Sequence, residues 1–95
     1  MIVVTSRLWL WQGSSGSWHF LTIPPEESIE IRLESAGIRR GFGSVRVRAR
    51  IGGVAWTTSV FPQKDGSYIL PVKVAVRRDC AIAADDMVKF GIELL

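Results

Sequence analysis

Residues 39–56 read RRGFGSVRVRARIGGVAW and carry the clearest structural signal in the chain. Residues 44–51 alternate between apolar or small side chains and arginines, which predicts a strand with one apolar face and one basic face. The apolar face holds Val45, Val47, Ala49 and Ile51, and the basic face holds Arg46, Arg48 and Arg50. Gly52 and Gly53 suit the turn of a tight hairpin, so residues 54–61 are predicted to return as the second strand.

The rest of the chain consists of short apolar segments separated by turn residues, which is typical of a mainly β protein. Further strands are predicted at residues 2–12, 18–23, 67–70 and 87–95, and turns at residues 13–16, 65–66 and 85–86. Short helices are predicted at residues 25–35 and 72–80.

The first of these helices is ambiguous in sequence. Pro25, Glu26 and Glu27 favour a helix start, because proline fits a first turn and acidic residues suit the positive end of the helix dipole. Residues 29–34 alternate with the period of a strand, whereas Ile29 and Leu33 alone would form the apolar stripe of a helix. We predict the helix.

Composition limits the class of protein. With 95 residues, 47% of them hydrophobic, the sequence predicts one small domain over residues 1–95. One cysteine, Cys80, and one histidine, His19, give no disulfide and no metal-binding cluster, so no cofactor is predicted. Residues 1–7 lack the features of a signal peptide or membrane span. We therefore expect a cytoplasmic protein in a reducing compartment, without a membrane partner.

A faint internal repeat relates two parts of the chain. Residues 20–24 (FLTIP) and 67–71 (SYILP) each end in proline, lie 47 positions apart, and precede a predicted helix. A half of this size cannot bury its own apolar face. The two halves are therefore expected to interlock into one closed barrel, which also removes exposed sheet edges.

Three motifs, in this order, resemble a known bacterial family. They are residues 41–47 (GFGSVRV), 56–62 (WTTSVFP) and 70–77 (LPVKVAVR). They look like the family called domain of unknown function nineteen-oh-five, and the resemblance covers nearly the whole chain. It implies a double-split β-barrel, as in AbrB- and MazE-type regulators and antitoxins, and it implies no activity. The expected fold is mainly β: a single-chain double-split β-barrel of about six to seven strands with two short helices.

The chain departs from this family in two places. Relatives often have Gly-Leu-x-x-Gly-Asp before the last strand, where residues 81–86 of this chain read AIAADD. Asp85, in place of a glycine, is expected to adopt a left-handed turn conformation at greater cost. Val74 replaces a residue that is often basic in relatives, which weakens a basic helix as a binding site.

The arginine face is the first candidate site. Residues 35–64 contain five arginines and one lysine but no acidic residue. Guanidinium groups suit phosphate oxygens, so this face could bind an anionic ligand or nucleic acid. The alternative is a solvated barrel face. The candidate basic residues are Arg39, Arg40, Arg46, Arg48, Arg50, Lys73 and Arg77.

The four tryptophans are the second candidate site. Trp9, Trp11, Trp18 and Trp56 could line a concave apolar pocket for a small ligand, with an arginine or Thr58 orienting it. The favoured alternative is that these rings pack in the core or barrel wall, because a small domain needs the area that each ring buries.

Catalysis is the least supported function. His19 has no evident partner, and Cys80 is expected to be a small buried hydrophobe, so no catalytic residue is predicted. Phe42 is expected to plug the barrel end. The sequence thus predicts a non-catalytic binding or interaction module for a small or anionic ligand, as a monomer or homodimer. The alternative is a nucleic-acid-binding module that uses the arginine face.

Overall fold

A computed structural model of the protein describes residues 1–37 and 43–95. Arg39, Arg40 and Phe42, named above, lie outside the described residues. The described residues form six β-strands and two α-helices. In chain order these are β1 (Ile2–Gly13), β2 (Gly16–Ile23), α1 (Pro25–Glu34), β3 (Val45–Ile51), β4 (Val54–Pro62), β5 (Tyr68–Pro71), α2 (Val74–Cys80) and β6 (Met87–Leu94).

The strands close into one antiparallel barrel in the order β1-β2-β5-β4-β3-β6, with β6 pairing back onto β1. The barrel closes because β1 pairs with β6 along Ile2–Arg7 and with β2 along Leu8–Gly13, so one long strand joins the two sheets. The predicted mainly β barrel with two short helices is confirmed. The predicted strands and helices have the observed bounds to within two residues.

The alternation on β3 determines which face points into the barrel. Val45, Val47 and Ala49 are buried, while the intervening arginines are exposed. The apolar core continues around the barrel through residues of every strand, and Ile31 of α1 and Val76 of α2 join it. In the described residues, no helix combines the length and apolar character that a bilayer crossing requires.

Helix α1 is present as predicted, but the predicted apolar stripe was wrong. Ile29 and Leu33 are exposed, whereas Ser28 and Ile31 are fully buried. The reason is that the helix docks over the end of the barrel through a hydrogen-bonding residue as well as an apolar one. The spacing of apolar residues in the sequence does not reveal a buried serine that binds through hydrogen bonds.

Ser28 connects α1 to two strands. Its hydroxyl donates to the carbonyl oxygen of Ile23 at the end of β2, at 2.8 Å. It also accepts a hydrogen bond from the backbone N–H of Tyr68 at the start of β5, at 3.1 Å. Ile23 and Tyr68 are partners in the β2–β5 ladder, so one buried hydroxyl ties the helix to the end of that ladder.

The internal repeat reappears in the strand register. In both the β2–β5 and the β3–β6 ladders a residue pairs with the one 47 positions later, Thr22 with Ile69 and Val47 with Leu94. Antiparallel strands that pair in this way are related by a two-fold axis through those pairs. The barrel therefore has an internal pseudo-two-fold axis that interchanges β2 with β5, α1 with α2, and β3 with β6.

The segment between α2 and β6 contains two residues with left-handed backbone conformation. Asp85 has φ 79°, which confirms the expectation from its place in the family pattern. Ala81, at the C-cap of α2, has φ 55° and stands where relatives often have the other glycine. The Asp85 side chain accepts a hydrogen bond from Arg7 at 2.7 Å, and backbone hydrogen bonds of Asp85 and Asp86 with Leu8, at 2.7 and 2.9 Å, hold this turn against β1.

Candidate functional site

Aromatic side chains line a groove on the outer face of the barrel. Across the β1–β2 ladder, Trp11 lies opposite Trp18 and Trp9 lies opposite Phe20. Phe61 of β4 reaches the same surface across β5, where it pairs with Ile69. We call this cavity of about 370 Å³ the aromatic groove, and its lining residues are Trp9, Trp11, Trp18, Phe20, Phe61, Gln63, Ile69 and Pro71.

Contacts within the groove hold its rings in place. The indole N–H of Trp9 donates to the Thr22 hydroxyl at 2.9 Å. The Trp9 and Phe20 ring centroids lie 5.1 Å apart with their planes tilted by 40°. Trp18 and Phe20 are nearly parallel, with centroids 6.4 Å apart and an angle of 10° between planes. The groove therefore presents fixed aromatic surfaces, although Trp18 is 56% exposed.

Trp11 occupies its position because Gly13 has no side chain. A Cβ atom at Gly13 would lie 2.2 Å from Cη2 and 2.6 Å from Cζ3 of the Trp11 ring. Ordinary carbon contacts are about 3.5–4.0 Å, so the ring lies in space that any other residue would fill. The glycine at the end of β1 thus helps to shape one wall of the aromatic groove.

A second cavity, of about 630 Å³, lies where β2, β4 and the start of α2 meet. Its cationic side chains come from three parts of the chain, Arg46 from β3, Lys73 from the residue before α2, and Arg77 from α2. We call this cavity the basic groove. Its other lining residues are Ser17, Trp18, His19, Thr58, Ser59, Phe61, Pro71, Val72 and Val74.

Hydrogen bonds orient two of these cations. Arg77 donates to the carbonyl oxygen of Val72 at 2.6 Å, and the Val72 N–H donates to the carbonyl oxygen of His19 at 2.9 Å. The guanidinium is thereby fixed to the junction between β5 and α2 beside β2. Arg46 lies across the β3–β4 ladder from Ser59 and donates to its hydroxyl at 3.4 Å.

The two grooves are joined. Trp18, Phe61 and Pro71 line both of them, so one wall of the basic groove is also a wall of the aromatic groove. Along β4, Phe61 and Ser59 are two residues apart, which places them about 7 Å apart on the same face of an extended strand. A compact ligand could therefore contact aromatic rings at one end and cations at the other.

The remaining predicted residues lie elsewhere. Arg48 is 3.7 Å from Glu93 of β6, and neither Arg48 nor Arg50 lines the two grooves. Trp56 is half-buried and packs against the core, so the structure does not bring it together with Trp9, Trp11 and Trp18. The hypothesis that all four tryptophans share a pocket was wrong in this respect.

Electrostatics distinguish the two titratable groups that sequence analysis considered for catalysis. Desolvation, and secondarily the positive charge of Arg77, lower the pKa of His19 below its ordinary value of 6.5, so the imidazole is neutral at pH 7. Burial and then the charge of Asp79 raise the pKa of Cys80, which is therefore a thiol at neutral pH. Among the described residues, no His, Cys, Asp and Glu side chains gather into a metal-binding group.

The pseudo-two-fold axis relates the basic groove to an acidic one. Glu93 is the symmetry mate of Arg46, and Glu30 is the mate of Arg77, because each pair is 47 positions apart. Both glutamates line a smaller cavity of about 160 Å³. The residues around that cavity are Met1, Ile2, Glu30, Glu34, Ile92, Glu93 and Leu94.

The chain matches a known protein family over most of its length. The family model described as Domain of unknown function (DUF1905) matches residues 5–92. The chain belongs to this family. The DUF1905 match includes every residue that lines the aromatic and basic grooves. No curated protein matches the chain. The family description names no ligand or reaction, so a function for this DUF1905 domain has to be argued from the two grooves.

Sequence reasoning missed part of the site. Phe20, Phe61 and Pro71 were not singled out, and His19 was considered only as a catalytic base. Strand alternation was the signal that could have found them. Phe20 and Trp18 of β2 are two positions apart and share a face. Phe61 and Trp56 of β4 have odd and even positions, that is, opposite parity, and therefore point to opposite faces. That parity separates the groove residue Phe61 from the core-packed Trp56.

Proposed function

We propose that this domain is a non-catalytic binding module for a small organic anion. The observation that carries the proposal is the shared wall between the aromatic and basic grooves. A ligand seated there would place its apolar part against Trp18 and Phe61 and its negative charge among Arg46, Lys73 and Arg77. Apolar cavities with a few convergent charged groups are common ligand sites.

The charge distribution of the basic groove supports an anion rather than a neutral ligand. Arg46, Lys73 and Arg77 line this groove, and none of its lining residues is acidic. Thr58 and Ser59 add hydroxyl groups at its side. Neighbouring guanidinium and ammonium groups repel one another, and an anion between them relieves that repulsion.

The test uses 1-naphthalenesulfonate as a probe, with binding followed by quenching of tryptophan fluorescence. Arg46→Ala should weaken binding by about fivefold, the effect of about 1 kcal/mol from a partly exposed charge pair. Arg50→Ala is the matched control, since Arg50 is exposed on the same strand and face but lies outside both grooves. Equal affinity of both variants and the wild type would reject the proposal.

Nucleic-acid binding is the second candidate. The observation that favours it is the row of exposed Arg46, Arg48 and Arg50 on β3, because Arg46 at one end of the row lines the basic groove together with the exposed Trp18. Single-stranded nucleic acids bind to such combinations of cations and aromatic rings. The contact between Arg48 and Glu93, at 3.7 Å, reduces the charge available.

One pair of substitutions separates the candidates. Arg48→Ala together with Arg50→Ala should leave 1-naphthalenesulfonate binding unchanged, because both residues lie outside the grooves. If the protein binds single strands along β3, the same double variant should weaken binding of a labelled oligonucleotide. The slope of log affinity against log salt concentration should also become shallower by about one for each phosphate contact that is lost. Oligonucleotide binding that is absent at low salt would eliminate this candidate.

A further inference from the structure

The two grooves carry different chemistry, and together they define a class of ligand. We infer that the bound anion is a phosphate monoester of a planar ring system, with the ring in the aromatic groove and the phosphate in the basic groove. This inference rests on the proposed function, because it specifies the ligand of the same site.

The aromatic groove favours a planar ring. The nearly parallel Trp18 and Phe20, with the tilted Trp9 beside them, present ring faces and edges to the cavity. Aromatic ligands gain stacking interactions on such surfaces that a saturated ring of similar size does not make. Gln63 is the one side chain with an amide among the residues that line this groove, so the chemistry of the surface is mostly that of carbon.

The basic groove favours a phosphate. Its three cations come from β3, from the residue before α2, and from α2, so separate elements of the fold bring them to one cavity. A carboxylate or sulfonate carries one negative charge, whereas a phosphate monoester carries nearly two above its second pKa of about 6. Arginine forks also match the oxygen spacing of phosphate.

His19 adds a reason to prefer the doubly charged ligand. Its side chain lines the basic groove and is neutral in the free protein because of desolvation and the charge of Arg77. A neutral imidazole still donates one hydrogen bond, and a dianion placed nearby opposes the effect of Arg77. The groups that face it in the groove, Lys73 and Arg77 from the α2 region and Arg46 from β3, are all cationic.

The spacing of the grooves limits the linker. The backbone positions of Phe61 and of Ser59, which lies opposite Arg46, are about 7 Å apart on one face of β4. A ring joined to phosphate directly or through one short linker spans that distance. Nucleoside monophosphates and simple aryl phosphates both have this chemistry.

The test compares four probes by isothermal titration at pH 7.5: inorganic phosphate, decahydro-1-naphthyl phosphate, 1-naphthyl phosphate and 1-naphthalenesulfonate. We expect 1-naphthyl phosphate to bind at least about fivefold more tightly than decahydro-1-naphthyl phosphate, its saturated counterpart, because stacking on one aromatic side chain gives about 5- to 150-fold. It should also bind more tightly than the sulfonate. Adenosine monophosphate, compared with 1-naphthyl phosphate, then shows whether the site prefers nucleotides among ring phosphates.

Substitutions at Trp18 and Phe61 test which side chains produce the preference for a planar ring. Trp18→Leu should weaken binding of 1-naphthyl phosphate more than binding of decahydro-1-naphthyl phosphate, because leucine keeps an apolar contact but removes the stacking surface. Phe61→Leu should act in the same way, and because Trp18 and Phe61 are both substantially exposed, thermal unfolding should show that both variants remain folded.

The outcomes separate the inference from the proposed function. If anion binding depends on Arg46 but decahydro-1-naphthyl and 1-naphthyl phosphates bind equally, the preference for a planar ring is refuted and the proposed function stands. If 1-naphthalenesulfonate and 1-naphthyl phosphate bind with equal affinity, the inferred preference for phosphate is refuted. If none of the probes binds, the proposed function and this inference both fail.

Discussion

Substituting Gly13 by alanine tests the aromatic groove without removing any of its side chains. The new Cβ atom would lie 2.2 Å from Cη2 of Trp11, where ordinary contacts are about 3.5–4.0 Å, so the ring has to move by more than about 1 Å. Trp11 is 48% exposed and can turn outward. At about 25 cal/mol per Å², losing about 50 Å² of ring contact costs about 1 kcal/mol of unfolding free energy.

Part of that cost is offset, because replacing glycine by alanine at an ordinary backbone conformation stabilises a protein by about 0.4–1 kcal/mol. The free energy of unfolding in urea should therefore change by less than about 1 kcal/mol. Binding of 1-naphthalenesulfonate should nevertheless weaken by about two- to tenfold, the value of one aromatic contact. Gly53→Ala is the control, since its added Cβ meets nothing within 4 Å.

Two results would refute this reasoning. Unchanged probe affinity in Gly13→Ala would show that Trp11 is not a functional wall of the groove. A loss of more than about 3 kcal/mol of unfolding free energy, in the range of a core truncation, would show that the ring is a structural element instead.

Three further predictions concern the surroundings of the site and the fold. NMR titration of His19 should give a pKa below 6.5 in the free protein, and Arg77→Gln should raise that pKa. Because the unfolded chain then gains the proton first, the free energy of unfolding should fall as pH drops below about 6.5. Ser28→Ala should lower the free energy of unfolding by about 1–3 kcal/mol, because it removes the partner of buried backbone groups, while the exposed Ser17→Ala should not. Ala81→Gly should raise the urea midpoint, since glycine adopts a φ of 55° without the cost of about 1–2 kcal/mol that a side chain imposes there.

The fold could be predicted because its main signals are local. Alternation on β3 identified the buried Val45, Val47 and Ala49, and turn residues marked most strand ends. The repeat spacing of 47 residues predicted the closure of two halves, and the register of Thr22 with Ile69 has the same spacing. The face of α1 was predicted incorrectly because Ser28 docks the helix through hydrogen bonds, which a count of apolar residues does not detect.

The site was less predictable because its residues meet across strands. Trp18 and Phe61 are far apart in sequence and come together because β5 lies between β2 and β4. Arg46 and Arg77 line one groove because α2 contacts β4, the strand that pairs with β3. The sequence supplied the residue types, tryptophan and arginine, but their distribution between groove and core depends on strand order and parity. Trp56 shows this, since it is a tryptophan like Trp18 but packs against the core, whereas Trp18 lines the aromatic groove.

The pseudo-two-fold axis provides an internal comparison for the basic groove. The barrel builds a groove of related position twice, and the two carry opposite charge: Arg46 and Arg77 on one side correspond to Glu93 and Glu30 on the other. If these charged residues only kept the surface solvated, acidic and basic side chains would serve equally well in either groove. The charged side chains within each groove are instead of one sign, and the aromatic groove adjoins the cationic one. The same axis therefore explains why the fold offers two positions for a groove and why the anion is assigned to the position beside Trp18.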